Sequence, residues 1–374
     1  MQILLIDSVP LTFGGGYESF LFDLTKEARA RGHEVTLITP TVGIARTVGR
    51  PAGIKMRVRL SPYEVHRKLD GATLVTGGLL TLRRVLESRD IAYVKNEPHE
   101  VLAALTMARR RTPVVVGFHS AIHGRPGLTG RMRSAVYNST PYRFLLKRSD
   151  AFHTLQPAQT HWLVEKHHLS KDKVHCVPNG VDLHRFRPGK HQHNDIFKLL
   201  FAGRLDAQKG IDTLLDAFAM LDSLALRASL TVAGDGPLRG LVQRAEERSG
   251  MVSYVGHTSD MLGLVSQHDL VIAPSRWEVF PLVPAEAMAC GFPVIASLIP
   301  ENEVYANAEA VELCPPDNPL ALAETIVRRV EEFRRSPERF AKLRRDARRF
   351  AEQELDLTRA MGTLLDVMEG LVAA

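Results

Sequence analysis

The sequence predicts an α/β protein made of two doubly wound, Rossmann-like units, each with a parallel sheet covered by helices on both faces. Three observations indicate this class. Short apolar runs alternate with amphipathic stretches along the chain. The alternation restarts after the polar stretch "RFRPGKHQHND", from Arg185 to Asp195. A chain of 374 residues is also longer than one hydrophobic core usually holds.

The first unit is predicted from the alternation in the N-terminal half. Strands are expected over "QILLID", "EVTLIT", "IAYVKN", "PVVVGFH" and "AFHTL". Helices are expected over "YESFLFDLTKEARARGH", which ends in Gly32, and from Val101 to Arg111. Because such an alternation builds a parallel sheet, the carboxyl ends of these strands should share one edge.

The second unit repeats the pattern. Strands are expected over "FKLLFAGR", "ASLTVAGDG", "VSYVGH", "LVIAPS" and "PVIAS", and helices over "GIDTLLDAFAML" and "PLRGLVQRAEERSG". The tail from Ala321 reads as helix, interrupted near Ser336. The expected domains are residues 1–187, residues 188–350, and a C-terminal helix over 351–374 that packs back on the first domain. A ligand is expected in the cleft between two such domains.

Composition limits the partners only weakly. A formal net charge of +6 permits anionic partners such as a nucleotide, a phospholipid surface or nucleic acid. Cys176, Cys290 and Cys314 form no CxxC pair, which argues against a disulfide framework or a zinc site. The N-terminal "MQILLID" reads as a strand rather than a signal peptide, and no apolar stretch is long enough to span a bilayer. A cytoplasmic protein is therefore expected.

The arginine-rich tail "RRVEEFRRSPERFAKLRRDARRF" is interleaved with glutamates. This pattern is typical of a solvated helical surface with many ion pairs. A nucleic-acid or membrane patch is the alternative, but the tail carries no known binding motif and no nucleic-acid partner is expected. The chain has no DxD motif, no HxxxH pair on a helix and no cysteine cluster, so no metal is expected.

The most informative stretch is "APSRWEVFPLVPAEAMACGFPVIAS", from Ala273 to Ser297. It reads as a strand, a loop with Glu278, a helix that starts near Pro284 and carries Glu286, and another strand. The helix start offers free amides and the positive end of the helix dipole, which favour an anion. The two carboxylates favour a ligand with several hydroxyl donors. These features together indicate a nucleotide sugar.

Several motifs resemble those of one family. They are "TFGGGYES", "GFHS", "VPNGVDLHRFRP", "FAGRLDAQKGIDTLLDAF", "VAGDGP" and the two glutamates eight positions apart, in this order. The chain resembles family 4 of the retaining glycosyltransferases, which have the GT-B architecture of two facing Rossmann-like domains. The resemblance implies a nucleoside diphosphate sugar as co-substrate, no other cofactor, and retention of the anomeric configuration. It also implies that the first domain binds the acceptor and the second the donor.

The resemblance assigns Arg204 and Lys209 to the diphosphate, whose leaving-group charge two cations would stabilise. The alternative from the residues alone is a surface ion pair with Asp206 or Asp212. Glu286 is assigned to the ribose hydroxyls, with a plain helix-dipole glutamate as the alternative.

Glu278 is assigned to hydroxyls of the transferred sugar, with a loop ion pair to Arg276 as the alternative. His119, at the end of "PVVVGFH", is assigned a catalytic role together with Arg204, Lys209 and Glu278. It would bind the sugar or an acceptor group, and the alternative is a histidine that only supports the end of the strand. His123 and His153 are weaker candidates, as are Asn179 and Asp182 in a turn.

The resemblance also implies contacts between the protein backbone and the nucleotide sugar. By resemblance these contacts come from Gly15, Gly16, Gly203, Gly234, Phe280, Leu282 and Val283. The glycine turn at residues 14–16 also fits a plain tight turn. One departure matters: most relatives have glycine after Phe280, where this chain has Pro281, which carries no backbone N–H. The departure leaves the identity of the sugar open.

The sequence thus predicts a glycosyltransferase that uses a UDP- or GDP-linked sugar, in the synthesis of a bacterial glycolipid, polysaccharide or glycosylated natural product. The hydroxyl acceptor is a saccharide, a lipid-linked molecule or a natural product. The basic segments 46–68 and 125–148 leave open a peripheral contact with an anionic membrane at its inner face. The alternatives are an epimerase or phosphorylase of the same fold, and a non-catalytic module that binds nucleotide sugars or nucleic acid.

Overall fold

The computed structural model describes residues 1–6, 16–38, 67–69, 72–75, 89–107, 112–119, 127–189, 196–221, 226–258 and 260–374. These residues form two compact units. The first unit comprises Met1–Asn179 together with Thr358–Ala374, and the second comprises Gly180–Leu357.

The first unit is built on an eight-stranded sheet. Its strands are β1 (Gln2–Ile6), β2 (Glu34–Ile38), β3 (Arg67–Leu69), β4 (Ala72–Val75), β5 (Ile91–Lys95), β6 (Val114–Gly117), β7 (Ala151–Thr154) and β8 (Val174–Cys176). They lie in the order β3-β4-β2-β1-β5-β6-β7-β8, and every pair is parallel except β3 with β4. The chain leaves β1 toward β2 and returns to β5 on the other side of β1. This reversal is a switch point, beside which ligands bind in sheets of this kind.

Helices of the first unit follow the strands. They are α1 (Gly16–Ala30), α2 (Pro98–Met107), α3 (Gly127–Tyr137), α4 (Thr140–Lys147) and α5 (Pro157–His161), which continues as a π-helical turn over Trp162–Lys166. Helix α4 starts at a proper cap, because the Ser139 hydroxyl accepts a hydrogen bond from the Tyr142 backbone N–H at 3.3 Å. Helix α2 starts three residues before the predicted Val101, at Pro98, which is suited to a first helical turn.

The second unit has a six-stranded parallel sheet. Its strands are β9 (Phe197–Ala202), β10 (Ala228–Ala233), β11 (Val252–Gly256), β12 (Leu270–Ala273), β13 (Val294–Ser297) and β14 (Val311–Cys314), in the order β11-β10-β9-β12-β13-β14. Its helices are α6 (Ile211–Leu221), α7 (Arg239–Arg248), α8 (Met261–Ser266), α9 (Leu282–Ala289), α10 (Pro319–Arg335) and α11 (Pro337–Glu354). Here the switch point lies between β9 and β12.

The core of each unit explains why its strands read as unbroken apolar runs. Strand residues such as Leu199, Leu230 and Ile295 are fully buried, as expected for a parallel sheet with helices on both faces. In the second unit Phe197 packs against Phe333 of α10, with ring centroids 4.9 Å apart. The prediction of an α/β fold with two Rossmann-like units is confirmed.

The last helix, α12 (Leu357–Ala373), belongs to the first unit from Thr358 onward, although it follows the second unit in sequence. Arg31 reaches Asp366 on this helix at 2.5 Å, and His33 Nε2 lies 2.7 Å from Glu369 Oε1. The bounds differ from the expected helix over 351–374, since α11 runs to Glu354 within the second unit. Among the described residues, no helix combines the length and apolarity needed to cross a membrane.

Candidate functional site

Two loops of the second unit lie side by side at the switch point of its sheet. One follows β9 and carries "GRLDAQKG", and the other follows β12 and carries "PSRWEVFP". Because β9 and β12 are neighbouring parallel strands, both loops leave the same edge. The Arg276 backbone N–H donates to the Gln208 carbonyl at 2.8 Å, and the Gln208 side chain donates to the Trp277 carbonyl at 3.1 Å. The loops therefore form one surface.

Gly210 permits this close approach. Its φ is +64°, in the left-handed region that side chains disfavour. A Cβ at this position would lie 2.0 Å from the carbonyl oxygen of Pro274. Glycine at 210 is therefore required both by its backbone conformation and by the neighbouring loop.

Arg276 fastens the two loops together. Its two terminal nitrogens contact the two oxygens of Asp212 at 2.8 and 2.9 Å, and it also donates to the Ala207 carbonyl at 2.6 Å. Its Nε pairs with Asp317. The ion pair between Arg276 and Glu278 that the sequence left open is not formed, because these other carboxylates engage Arg276.

Lys209 and Glu278 instead pair with each other. Lys209 Nζ lies 2.5 Å from Glu278 Oε1, and the Ser275 hydroxyl donates to the same oxygen at 2.7 Å. The Glu278 side chain is only 7% exposed. A lysine ammonium has three N–H donors and this pair uses one of them, so Lys209 is held in place with donors to spare for an anion.

Arg204 lies on the exposed side of the same surface. Its side chain is 62% exposed; its Nε pairs with Asp206 at 2.8 Å, and a terminal nitrogen donates to Gln208 at 3.1 Å. The ion pair with Asp206 that the sequence left open is thus present. It engages only part of a guanidinium with five N–H donors, so the rest can reach a ligand.

Gly203 and Gly234 leave bare backbone beside these cations. Gly234 has a φ of +140°, and a Cβ there would lie 1.8 Å from the Gly203 carbonyl oxygen. The Gly234 N–H donates to the Gly256 carbonyl at 2.8 Å, which extends the sheet by one residue. The strand ends of β9 and β10 therefore meet with no side chain between them.

Helix α9 begins at Leu282, two residues before the predicted start at Pro284, with Pro281 as its cap residue. No side chain caps this end, so the amides of Leu282 and Val283 belong to the unsatisfied first turn. Tyr305 supports the turn from behind, because its hydroxyl donates to the Pro281 carbonyl at 2.7 Å. Phe280 is buried near the same ring.

Glu286 lies one turn into α9 and is half-buried. Burial raises the pKa of its carboxyl to about 7, although the nearby Arg185 opposes this shift. Within the described residues the carboxylate accepts no hydrogen bond. Arg185 itself is placed by a turn, in which Asp182 accepts backbone N–H bonds from His184 and Arg185 at 3.0 Å each. Glu286 is thus a desolvated acceptor to which no described residue donates a hydrogen bond.

Glu301 is a second partly buried carboxyl with a raised pKa, and no motif in the sequence singles it out. It lies in a 3₁₀ turn after β13. Burial, together with the charge of Glu278, raises the pKa of Glu301 to about 7. The charge of Glu278 thus couples it electrostatically to Glu301, although the two residues follow different strands.

In the first unit, His119 follows β6 and lies in a buried aromatic cluster. Its ring centroid is 4.2 Å from that of Phe20 and 4.7 Å from that of Tyr17, both on α1. Tyr93 Oη lies 2.7 Å from His119 Nε2 and also 2.7 Å from His153 Nδ1. Burial, followed by the influence of His153 and Lys95, holds the pKa of His119 well below its usual range. Tyr93 read from the sequence as an ordinary strand residue and was missed.

Other selected residues are placed as follows. Gly16 is the first residue of α1, whereas Gly15 and His123 lie outside the described residues. Asn179 is buried at the end of the first unit. In the described ranges there is no group of three His, Cys, Asp or Glu side chains that could hold a metal ion.

Two family models match the chain. Residues 14–185 match the model of Glycosyltransferase Family 4, and residues 196–332 match the model of Glycosyl transferases group 1. One similar protein is a GDP-mannose-dependent alpha-(1-6)-phosphatidylinositol dimannoside mannosyltransferase of Mycobacterium tuberculosis, 34% identical over 174 residues. That match covers 42% of this chain and 45% of the relative, so less than half of the relative's length is spanned.

Other relatives match over more of their length. A D-inositol 3-phosphate glycosyltransferase of Frankia alni is 28% identical, over 76% of this chain and 78% of that protein. Sucrose-phosphate synthase of Thermosynechococcus elongatus has the same fold, with a TM-score of 0.77 at 19% identity, covering 100% of this chain and 99% of that one. Anabaena Alr3699/HepE, solved with UDP-glucose, has a TM-score of 0.74 at 18% identity, covering 99% and 100%.

Proposed function

Since the chain belongs to the glycosyltransferases of GT-B fold, we propose that it transfers a sugar from a nucleoside diphosphate sugar to a hydroxyl acceptor. The transfer retains the anomeric configuration of the sugar. The donor is UDP- or GDP-linked, because the similar proteins include a GDP-mannose-dependent enzyme and a structure that holds UDP-glucose.

The observation that carries this proposal is the pairing of Lys209 with Glu278 beside Arg204. The β9 loop thereby presents two cations, each with N–H donors that no described residue engages, next to bare backbone at Gly203 and Gly234. A diphosphate is the ligand that such a surface suits, since fixed cations stabilise the charge that grows on it as the sugar departs. Glu278 has a second carboxylate oxygen to accept a hydroxyl of the transferred sugar.

Glu286 completes the donor side. Its half-buried carboxylate is stabilised by accepting hydrogen bonds from two adjacent hydroxyls, which the ribose of a nucleotide supplies. The amides of Leu282 and Val283 lie one turn earlier on the same helix and can donate to an oxygen of the sugar or phosphate. Pro281 has no backbone N–H and cannot donate such a hydrogen bond. One hydrogen-bond donor to the sugar is therefore absent, which restricts the sugars that this loop can bind.

In the proposed reaction the acceptor oxygen attacks the anomeric carbon from the side that the diphosphate leaves. The bond from that carbon to the phosphate oxygen breaks, and the departing phosphate takes the proton of the acceptor hydroxyl. Arg204 and Lys209 stabilise the leaving group, while Glu278, Glu286 and His119 hold the reactants in place. No side chain needs to act as a nucleophile.

A thermal-shift series with UDP, GDP, UDP-glucose and GDP-mannose tests the donor. A ligand at a hundredfold its dissociation constant stabilises a protein by about 2.7 kcal/mol. Arg204→Ala should remove most of the shift, whereas Arg248→Ala, an exposed arginine on α7, should leave it unchanged. Product anomers are then assigned by NMR. An inverted product contradicts retention, donor turnover to an epimer without acceptor indicates an epimerase, and binding without turnover indicates a non-catalytic module.

The acceptor is proposed to reside at an anionic lipid surface. The support is the exposure of Leu128, Met132 and Val136 on α3 and of Phe144 on α4, by 73, 62, 48 and 60% respectively. The first three are four residues apart and share one side of α3. Residues 127–148 contain five basic residues and no acidic one. An exposed apolar stripe in a basic segment fits a bilayer that carries negative charge, although Arg133 already pairs with Glu97 at 2.7 Å.

Vesicle sedimentation tests this surface. Binding is expected to vesicles that contain phosphatidylglycerol, to weaken with salt, and to be absent with phosphatidylcholine alone. Met132→Ser with Phe144→Ser should abolish binding, while Leu320→Ser, an exposed leucine in the second unit, should not. Binding that survives the double substitution would contradict the assignment, and a soluble saccharide acceptor would then be favoured.

A further inference from the structure

A hydrogen-bonded chain crosses three strands of the first unit and ends at His119. It starts at the Val177 carbonyl, which lies 2.8 Å from His153 Nε2. His153 Nδ1 is 2.7 Å from Tyr93 Oη, which is in turn 2.7 Å from His119 Nε2. All three side chains are buried. This network therefore links a backbone carbonyl to His119, the histidine assigned to the substrate.

Gly117 makes room for this chain. It lies on β6, between Tyr93 on β5 and His153 on β7, and is directly paired with His153. A Cβ on Gly117 would lie 1.9 Å from Tyr93 Oη. The phenol can cross β6 only because no side chain is present there, so Tyr93 is specifically accommodated between the two histidines.

The Val177 carbonyl, at one end of this hydrogen-bonded network, determines which atom donates in each hydrogen bond. A carbonyl oxygen only accepts hydrogen bonds, so His153 Nε2 must carry a hydrogen. Burial lowers the pKa of His153 to about 4, so its ring is neutral near pH 7 and its Nδ1 is an acceptor. The Tyr93 hydroxyl therefore donates to His153 Nδ1. Its oxygen then accepts from His119 Nε2, which must be protonated.

We propose that Tyr93 and His153 are positioning residues that fix His119 with hydrogen on Nε2, so that its bare Nδ1 accepts a hydrogen bond from a substrate hydroxyl. The reverse direction would require hydrogen on both nitrogens of His153, and hence a buried cation among Phe20, Tyr93 and His119. The substrate hydroxyl rests on the proposed function, whereas the tautomer of His119 is a property of the resting protein.

This arrangement determines what His119 can recognise. The ring nitrogen directed to the substrate accepts a hydrogen bond, so it suits a hydroxyl and disfavours a phosphate or carbonyl oxygen. A site built to accept a hydroxyl proton discriminates against analogues that lack that hydroxyl, because the acceptor is then left unpaired. Nucleotide sugars with fluorine in place of one hydroxyl should identify the group that His119 contacts.

NMR of the resting protein tests the tautomer without reference to activity. Long-range ¹H–¹⁵N spectra of protein labelled at histidine should show His119 and His153 with hydrogen on Nε2 only. Tyr93→Phe, which deletes one oxygen, should convert His119 to a mixture of tautomers. Tyr142→Phe is the matched control: this tyrosine is also buried, and its hydroxyl donates to the Asn96 carbonyl at 3.0 Å. Hydrogen on His119 Nδ1, or no change with Tyr93→Phe, would overturn the proposal.

Kinetics separate positioning from structural support. With UDP-glucose or GDP-mannose as donor, Tyr93→Phe should lower kcat/KM about 5- to 30-fold, the equivalent of one buried hydrogen bond. In a His119→Ala background the same change should alter kcat/KM by less than about twofold, because Tyr93 acts through His119. Losses that multiply would make Tyr93 a structural residue only and would overturn its positioning role. If neither donor is consumed, glycosyl transfer fails with these donors and the NMR result alone decides the tautomer.

Discussion

Nucleotide binding should depend on pH through Glu286. In the free protein, burial raises the pKa of this carboxyl to about 7. Two ribose hydroxyls donate to a carboxylate but not equally to a carboxylic acid, so the ionised form is the one that binds. The raised pKa means that protons compete with the nucleotide near neutral pH. Affinity should therefore fall as pH falls through 7, and not near 4.5 where an ordinary glutamate titrates.

The magnitude follows from the populations. With a pKa of about 7, the binding-competent carboxylate makes up about nine-tenths of the protein at pH 8 and about one-tenth at pH 6. The apparent dissociation constant scales inversely with that fraction, so it should rise about tenfold between pH 8 and pH 6. Arg185 favours the ionised form, so Arg185→Ala should move the midpoint to higher pH.

Isothermal titration with UDP or GDP, whichever binds, measures this dependence. Glu286→Gln cannot titrate and should show a flat profile, apart from the ionisation of the nucleotide's own phosphate, which both proteins share. Glu301→Gln is the matched control, because burial also raises the pKa of Glu301 to about 7. A tenfold dependence that persists in Glu286→Gln and vanishes in Glu301→Gln would refute the ribose assignment.

Three further outcomes are expected. Glu278→Gln removes a buried charge next to Lys209, so affinity for the nucleoside diphosphate alone should rise while turnover of the nucleotide sugar falls at least tenfold, as titration and kinetics can show. Gly210→Ala should lower the free energy of unfolding by about 1–3 kcal/mol, whereas Gly250→Ala, where nothing lies within 4 Å, should change it by less than about 0.5 in denaturant melts. Because the pKa of His153 is lowered to about 4, the unfolded state binds more protons than the folded state at acidic pH. The free energy of unfolding of the first unit should therefore fall by up to about 3 kcal/mol as the pH is lowered from 6.5 to 4, and by less in His153→Gln.

The fold was predictable because its strands are unbroken apolar runs separated by amphipathic helices. The strands that escaped prediction are β3, β4, β8 and β14, which have three or four residues each. A run such as "VHC" is too short and too polar to show a period. The start of α9 was misplaced by two residues because proline is favoured throughout a first helical turn, so Pro284 does not mark one position.

Residue types in the donor motifs were readable from sequence, but their pairing was not. Lys209 and Glu278 are 69 positions apart. They meet because β9 and β12 are neighbours, and strand order depends on packing of the whole sheet rather than on any local pattern. The buried Tyr93 was missed for another reason: a tyrosine inside an apolar strand has the same sequence pattern whether its hydroxyl supports the fold or a neighbouring histidine.

The surface formed by the loops after β9 and β12 holds its cations in place before any ligand binds. Arg204 has Asp206, Lys209 has Glu278, and Arg276 has Asp212 and Asp317. These pairs limit repulsion among like charges and restrict the side chains, which lowers the ordering cost when an anion binds. The pairs differ in exposure, however. Arg204 can turn toward a ligand at little cost because water solvates Asp206, whereas Lys209 cannot leave the buried Glu278 without stranding its charge. Lys209 must therefore bind the diphosphate while it keeps its contact with Glu278. The position of Glu278 thus helps to determine where the phosphate lies.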